Sequence, residues 1–156
     1  MISAADYLYF VDLELDGMVA IVTELGDKLS NQRLAVSGAN SPYVILNHCL
    51  GVIEYWSGHL ALGRPSSRDR EAEFTAIGPI APLISRARQV RSQLSADLAQ
   101  LRPTEPPLGA PEPRDANLPL GRTQGGALVH IHEELARHRG QMEVTRDVLI
   151  AGSSGI

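Results

Sequence analysis

The sequence predicts an all-α protein, a four-helix bundle with long connections. Three observations carry that expectation. Apolar residues recur every three or four positions through four long segments. No stretch alternates with the two-residue period of a strand. Six of the ten prolines fall in one segment, 103–119, which separates the third helical segment from the last.

The first segment runs from Ala4 to Ser30, where Leu8, Val11, Leu15, Met18, Val22, Leu25 and Leu29 mark one buried face. Gly17 interrupts it at a cost of about 1 kcal/mol relative to alanine. Tyr7, Tyr9 and Phe10 near its start are candidates either for a dimer face or for the end of the core. The loop "NQRLAVSGAN" follows.

The second helix has a clear start. Ser41 can accept a hydrogen bond from a free N–H of the first turn, and Pro42 is preset for the first helical position. The segment "PYVILNHCLGVIEYWSGHLALG" is apolar on most sides, and Gly63 and Pro65 end it. A short acidic stretch, "SSRDREAEF", comes next. A third helix is expected from Pro82 to Leu101, with Leu83, Ala87, Val90, Leu94, Ala96, Leu98 and Leu101 as its apolar stripe. The proline-rich 103–119 is a poor helix and a poor strand, so it reads as an irregular surface connection. The last helix occupies 124–150. Residues 1–150 thus form one domain, with 151–156 as a flexible tail.

Composition narrows the function. The net charge is −4 and the basic residues are dispersed, which argues against nucleic acid as a partner. Acids stand near the N-terminus where a signal peptide needs basic residues, and no apolar run approaches the ~20 residues of a membrane span. A cytoplasmic protein without a membrane partner is expected. Cys49 is the single cysteine, so no intrachain disulfide and no multi-cysteine zinc site can form.

The chemistry concentrates in "HEELARHRGQMEVTRD". His130, Glu134, His138 and Gln141 share one stripe of the last helix, whereas His132 points elsewhere. Glu134 and His138, at i and i+4, have Cβ atoms roughly 5–6 Å apart and can chelate one divalent ion. A third ligand must come from another helix. His48, on the apolar second helix with Ile45, Val52 and Tyr55, is the best candidate. The outcome is a His48–Glu134–His138 centre with open coordination positions, suited to zinc, with nickel, iron or manganese as alternatives. On spacing alone a solvated, salt-bridged helix explains the same residues, with Glu133 and Arg137 as its ion pair and His48 as a core histidine. His59 lies three turns from His48, too far to share an ion.

"YVILNHCLGVIEYWSGHLALGRPSSRDREAEF" together with "ALVHIHEELARHRGQMEVTRDVL" resembles the DinB-like metalloprotein superfamily, nearest the branch of mycothiol-dependent maleylpyruvate isomerase and thiol S-transferases. The resemblance implies an up-down-down-up bundle with a metal triad of one second-helix histidine, here His48 in "NHCLG", and two last-helix ligands. His138 matches in "HRGQ", and the glutamate at 134 is the feature of the isomerase branch. It further implies a metal-dependent S-transferase that activates mycothiol for attack on an electrophile, and a homodimer. The isomerase carries an additional C-terminal domain with no counterpart here, so S-transfer is expected over maleylpyruvate isomerisation. The alternatives are a metal-dependent hydrolase and a non-enzymatic, stress-related metal-binding bundle.

Overall fold

The computed structural model describes residues 2–153. Helix α1 spans Ala4–Ser30 and α2 spans Pro42–Ile53, continuing without a break into π-helical turns over Glu54–Ala61. A one-turn helix, α3 (Arg70–Glu73), precedes α4 (Ile80–Leu98). A second short helix, α5 (Pro119–Arg122), leads into α6 (Gln124–Ser153). No strand occurs among the described residues, and no helix among them is long and apolar enough to cross a membrane.

Local chemistry fixes the helix starts. Ser3 caps α1 with a reciprocal Ser3–Asp6 capping box, and the Ser41 hydroxyl accepts the Val44 N–H with Pro42 at the first helical position. Helix α4 begins at Ile80, two residues earlier than Pro82. Its cap is tertiary: the Asp27 carboxylate of α1 accepts the Ile80 N–H at 2.8 Å. Pro82 then sits in the first turn, where its missing N–H costs no helical bond. Helix α6 runs to Ser153, three residues into the segment expected as a tail, and 154–156 lie outside the described residues.

Helix α1 packs on α4 and α6, and α2 packs on both as well. Residue pairings give the running sense. Tyr7 meets Leu128, Glu14 meets Arg139 and Glu24 meets Arg146, so α1 and α6 are parallel. Asn47 meets Arg86 and Ser57 meets Asp97, so α2 and α4 are parallel. Arg91 with Asp12 and Ile80 with Asp27 set α4 antiparallel to α1, so the two pairs run in opposite senses. The core between them includes Val11, Met18, Leu46, Leu50, Leu94, Ile131, Leu135 and Met142. Tyr7 belongs to this core, its hydroxyl donating to the Leu128 carbonyl at 2.8 Å, while Tyr9 and Phe10 face outward.

Two features depart from the sequence pattern. The π-helical turns leave the apolar surface of the second helix continuous, so periodicity does not reveal them. On α4, Ala96 is exposed and Asp97 is fully buried. The Asp97 carboxylate accepts a fork from Arg64 at 2.6 and 2.7 Å and bonds from Gln93 and Ser57. A Cβ at Gly58 would stand 2.4 Å from the Arg64 guanidinium, so this glycine opens the notch that admits it. Asp97→Ala strips three donors of their shared acceptor. It is expected to cost about 3 kcal/mol, seen as a lower midpoint in urea denaturation at pH 7; an unchanged midpoint would show the network to be energetically idle.

Candidate metal centre

The bundle brings the three expected residues together. His48 on α2 and Glu134 and His138 on α6 each offer a ligand atom, all within 4.8 Å of one another. His48 Nε2 is 3.4 Å from Glu134 Oε2, and His138 Nε2 is 3.5 Å from the same oxygen. Donors bound at about 2.1 Å to one tetrahedral ion stand roughly 3.4 Å apart. The donor set and its spacing therefore fit a single divalent ion. The three side chains are 4, 12 and 18% exposed, in the order His48, Glu134, His138.

The outer face of each of these candidate ligands is also engaged. His48 Nδ1–H donates to Glu73 Oε2 at 2.8 Å, and His138 Nδ1–H donates to Gln141 Oε1 at 2.9 Å. Both imidazoles thus present Nε2 inward, the tautomer a metal requires. Glu134 Oε1 accepts from Arg137 at 2.9 Å, leaving Oε2 for the centre. The His138 and His48 rings, which donate from Nε2 to Glu134 when doubly protonated, hold its carboxyl well below the usual carboxylate range. Burial alone would lower the His48 imidazole, but its bonds to Glu134 and Glu73 outweigh that and raise it.

Glu73 is the residue that spacing did not single out. It ends α3, whose start is capped by the Asp69 carboxylate, and it is nearly buried. Arg68 forks onto it at 2.6 and 2.8 Å. Burial would raise the Glu73 carboxyl, yet the bonds from Arg68 and His48 keep it below its ordinary value. A Cβ at Gly51 would lie 2.2 Å from Glu73 Oε1, so only glycine lets this pair lie against α2. The one available sequence signal was the pairing rule itself: a buried ligand histidine needs a carboxylate or carbonyl on its other nitrogen.

The centre opens into a cavity of about 230 Å³, bounded by Trp56, Tyr55, Arg68 and His130. Glu112, Arg114 and Asp115 complete the wall, so the proline-rich connection covers the site. It is pinned there by backbone bonds from Leu108 and Gly109 to the carbonyls of Ala61 and Leu60.

A family model described as Mycothiol-S-transferase matches residues 7–151. The chain belongs to the mycothiol S-transferase family. The match covers α2 and α6, and so every residue of the centre. No curated protein matches the chain.

Within this mycothiol S-transferase fold the remaining histidines and Cys49 lie outside the triad, and of them only His130 lines its cavity. His130 packs on Trp56, with ring centroids 4.4 Å apart, and its Nδ1 lies 3.3 Å from Glu133. Burial lowers its imidazole, favouring the neutral ring. His132 sits edge-on to Phe10, away from the centre. His59 Nδ1–H donates to the Arg64 carbonyl at 2.7 Å. Cys49 is fully buried, and burial pushes its thiol up, so it is an inert core residue.

Proposed function

We propose that this chain is a metal-dependent S-transferase in which His48, Glu134 and His138 hold one divalent ion, zinc by preference, and mycothiol supplies the sulfur. The observation that carries this reading is the convergence of two inward-facing imidazole nitrogens and one ionised carboxylate at the floor of a covered cavity. Two nitrogens and one oxygen leave coordination positions open, as a reactive centre needs. A divalent ion held there supplies positive charge that favours the thiolate form of a nearby thiol.

The chain's own residues do the rest. Glu73 and Gln141 orient the two imidazoles. Trp56, Val52 and Leu120 line the cavity with apolar surface and limit water. The thiol proton must leave as sulfur bonds to the electrophilic carbon. His130, neutral by burial and one turn from Glu134 on the cavity wall, is placed to accept it. The leaving group departs from that carbon with the bonding pair.

The direct test is conjugation of mycothiol to monochlorobimane by zinc-loaded protein. Turnover is expected with mycothiol, and a metal-loaded protein inert toward every thiol would sink the reading. His130→Gln is expected to lower the rate about 100-fold with metal content intact; a rate within twofold of the parent would remove His130 from the chemistry. We also propose a cytoplasmic homodimer joined through the outward face of α1 and α6, where Tyr9, Phe10 and Val129 are exposed. Light scattering on the eluting protein should give twice the chain mass.

A further inference from the structure

His130 belongs to a second group of donors, which begins one turn before Glu134 on α6. Its imidazole, the Glu133 carboxylate and the Glu134 carboxylate each offer one ligand atom, all within 4.8 Å of one another. The three stand at i, i+3 and i+4, so one helical face gathers them. His130 Nδ1 lies 3.3 Å from Glu133 Oε2, close to the donor spacing around a single tetrahedral ion. Packing against Trp56, with ring centroids 4.4 Å apart, fixes the imidazole.

A cation already sits on these carboxylates. The Arg137 guanidinium donates to Glu133 Oε1 with one nitrogen and to Glu134 Oε1 with the other, the latter at 2.9 Å. Arg137 is 61% exposed, so it can swing into water and yield Glu134 Oε1 at little cost. The other Glu133 oxygen, Oε2, faces His130. The His48–Glu134–His138 triad uses the opposite oxygen of Glu134, Oε2. The two donor groups therefore meet on one carboxylate, with an oxygen for each.

We infer that His130, Glu133 and Glu134 form a second divalent-cation site, which zinc enters after the triad is filled, with the Glu134 carboxylate bridging the two ions. One imidazole and two carboxylates suit zinc or manganese. The second ion is the weaker, because it displaces Arg137 and meets the charge of the first. It also occupies the one lone pair that a neutral imidazole has free, so His130 can no longer accept a proton. Excess zinc is thereby a brake on transfer. The brake rests on the S-transferase reading, whereas the site rests on its donors.

Equilibrium dialysis over a range of free zinc tests the site. The parent is expected to take up two ions per chain, the second at least tenfold more weakly than the first. Glu133→Gln and His130→Gln should each keep the first ion and lose the second at concentrations that saturate the parent. Arg137→Ala, at an exposed side chain, should tighten the second ion about fivefold by removing its competitor. Circular dichroism reports whether each variant has folded. Two manganese ions bridged by one carboxylate couple magnetically, so the loaded parent should give a spin-coupled resonance spectrum that Glu133→Gln lacks. A single ion in the parent, kept by both Glu133→Gln and His130→Gln, would overturn the inference and leave the triad standing. A second ion that survives both substitutions would overturn it too, since it is bound elsewhere. A single ion lost in Glu133→Gln but kept in His48→Ala would fell the triad and leave this site. In the transfer assay, excess zinc should slow the parent at least tenfold and Glu133→Gln less than twofold; equal inhibition would overturn the brake. If no thiol turned over, the S-transferase reading would fall while the binding measurements still decided the site.

Discussion

Replacing His48 with alanine is expected to remove stoichiometric metal and S-transfer together. The variant leaves Glu134 and His138, two donors on adjacent turns of one helix, and two donors do not close a site against dialysis. Loss of an outer hydrogen-bond partner typically costs 10–100-fold in metal affinity, so loss of a ligand should exceed that. His138→Ala should behave alike. The fold should persist, because Glu73 keeps its fork from Arg68 when His48 is gone. Elemental analysis after dialysis is the first readout. The second is thermal: metal at a hundredfold above its Kd stabilises by about 2.7 kcal/mol. For a domain of this size that is a rise of roughly 5–11 °C in Tm. Parent protein should show the rise and both variants should not. His132→Ala, at a histidine packed on Phe10 outside the centre, should behave as the parent. One tightly held ion in both His48→Ala and His138→Ala would end the assignment.

The cluster of three proposed ligands is legible in the sequence because each residue betrays a local rule. His48 is a polar residue on a helix apolar on most sides, and Glu134 and His138 share a face by spacing alone. The helix starts were legible for a similar reason, since Ser41 and Pro42 act within their own first turn. What escaped was tertiary. The cap of α4 comes from Asp27, more than fifty positions upstream. Asp97 sits where Ala96 continued the apolar stripe, because Arg64 arrives through the Gly58 notch to neutralise it. The proline-rich 103–119 was placed on the surface, and composition could not show that its backbone pairs with Leu60 and Ala61 and walls the metal cavity.

Gly51 and Gly58 make one device of these facts. Each is a notch on the second helix: Gly58 receives the Arg64 guanidinium and Gly51 the Glu73 carboxylate with Arg68 beside it, and each arginine neutralises a buried carboxylate. The loop is thereby fixed at both ends, and with it the Arg68 wall of the metal cavity. Rigid support of this kind is what a preorganised centre requires of its surroundings.

Glu73 is where that support meets the proposed metal ligands, and its removal should be the second largest effect. Glu73→Ala leaves His48 Nδ1–H without an acceptor and Arg68, only 15% exposed, without a counter-charge. Zinc affinity is expected to fall 10–100-fold, measured by competition with a chromophoric chelator. Stability of the metal-free protein should fall by about 3 kcal/mol, because an unpaired, poorly solvated guanidinium remains in the Gly51 notch. Glu73→Gln keeps an oxygen for His48 but loses the charge, so it should restore much of the affinity and less of the stability. Cobalt substitution gives an independent readout, since a freed imidazole alters the ligand field and shifts the visible absorption. The pH dependence follows from the depressed Glu73 carboxyl: its stabilisation is complete above the unfolded value near 4.5 and is lost as pH falls through the lower folded value. The stability gap between parent and Glu73→Ala should accordingly be widest near neutral pH and narrow under acid. A variant that binds zinc within twofold of the parent and keeps the parent's cobalt spectrum would show that His48 is oriented by packing against Phe74, whose ring lies 4.9 Å from it, and not by the carboxylate.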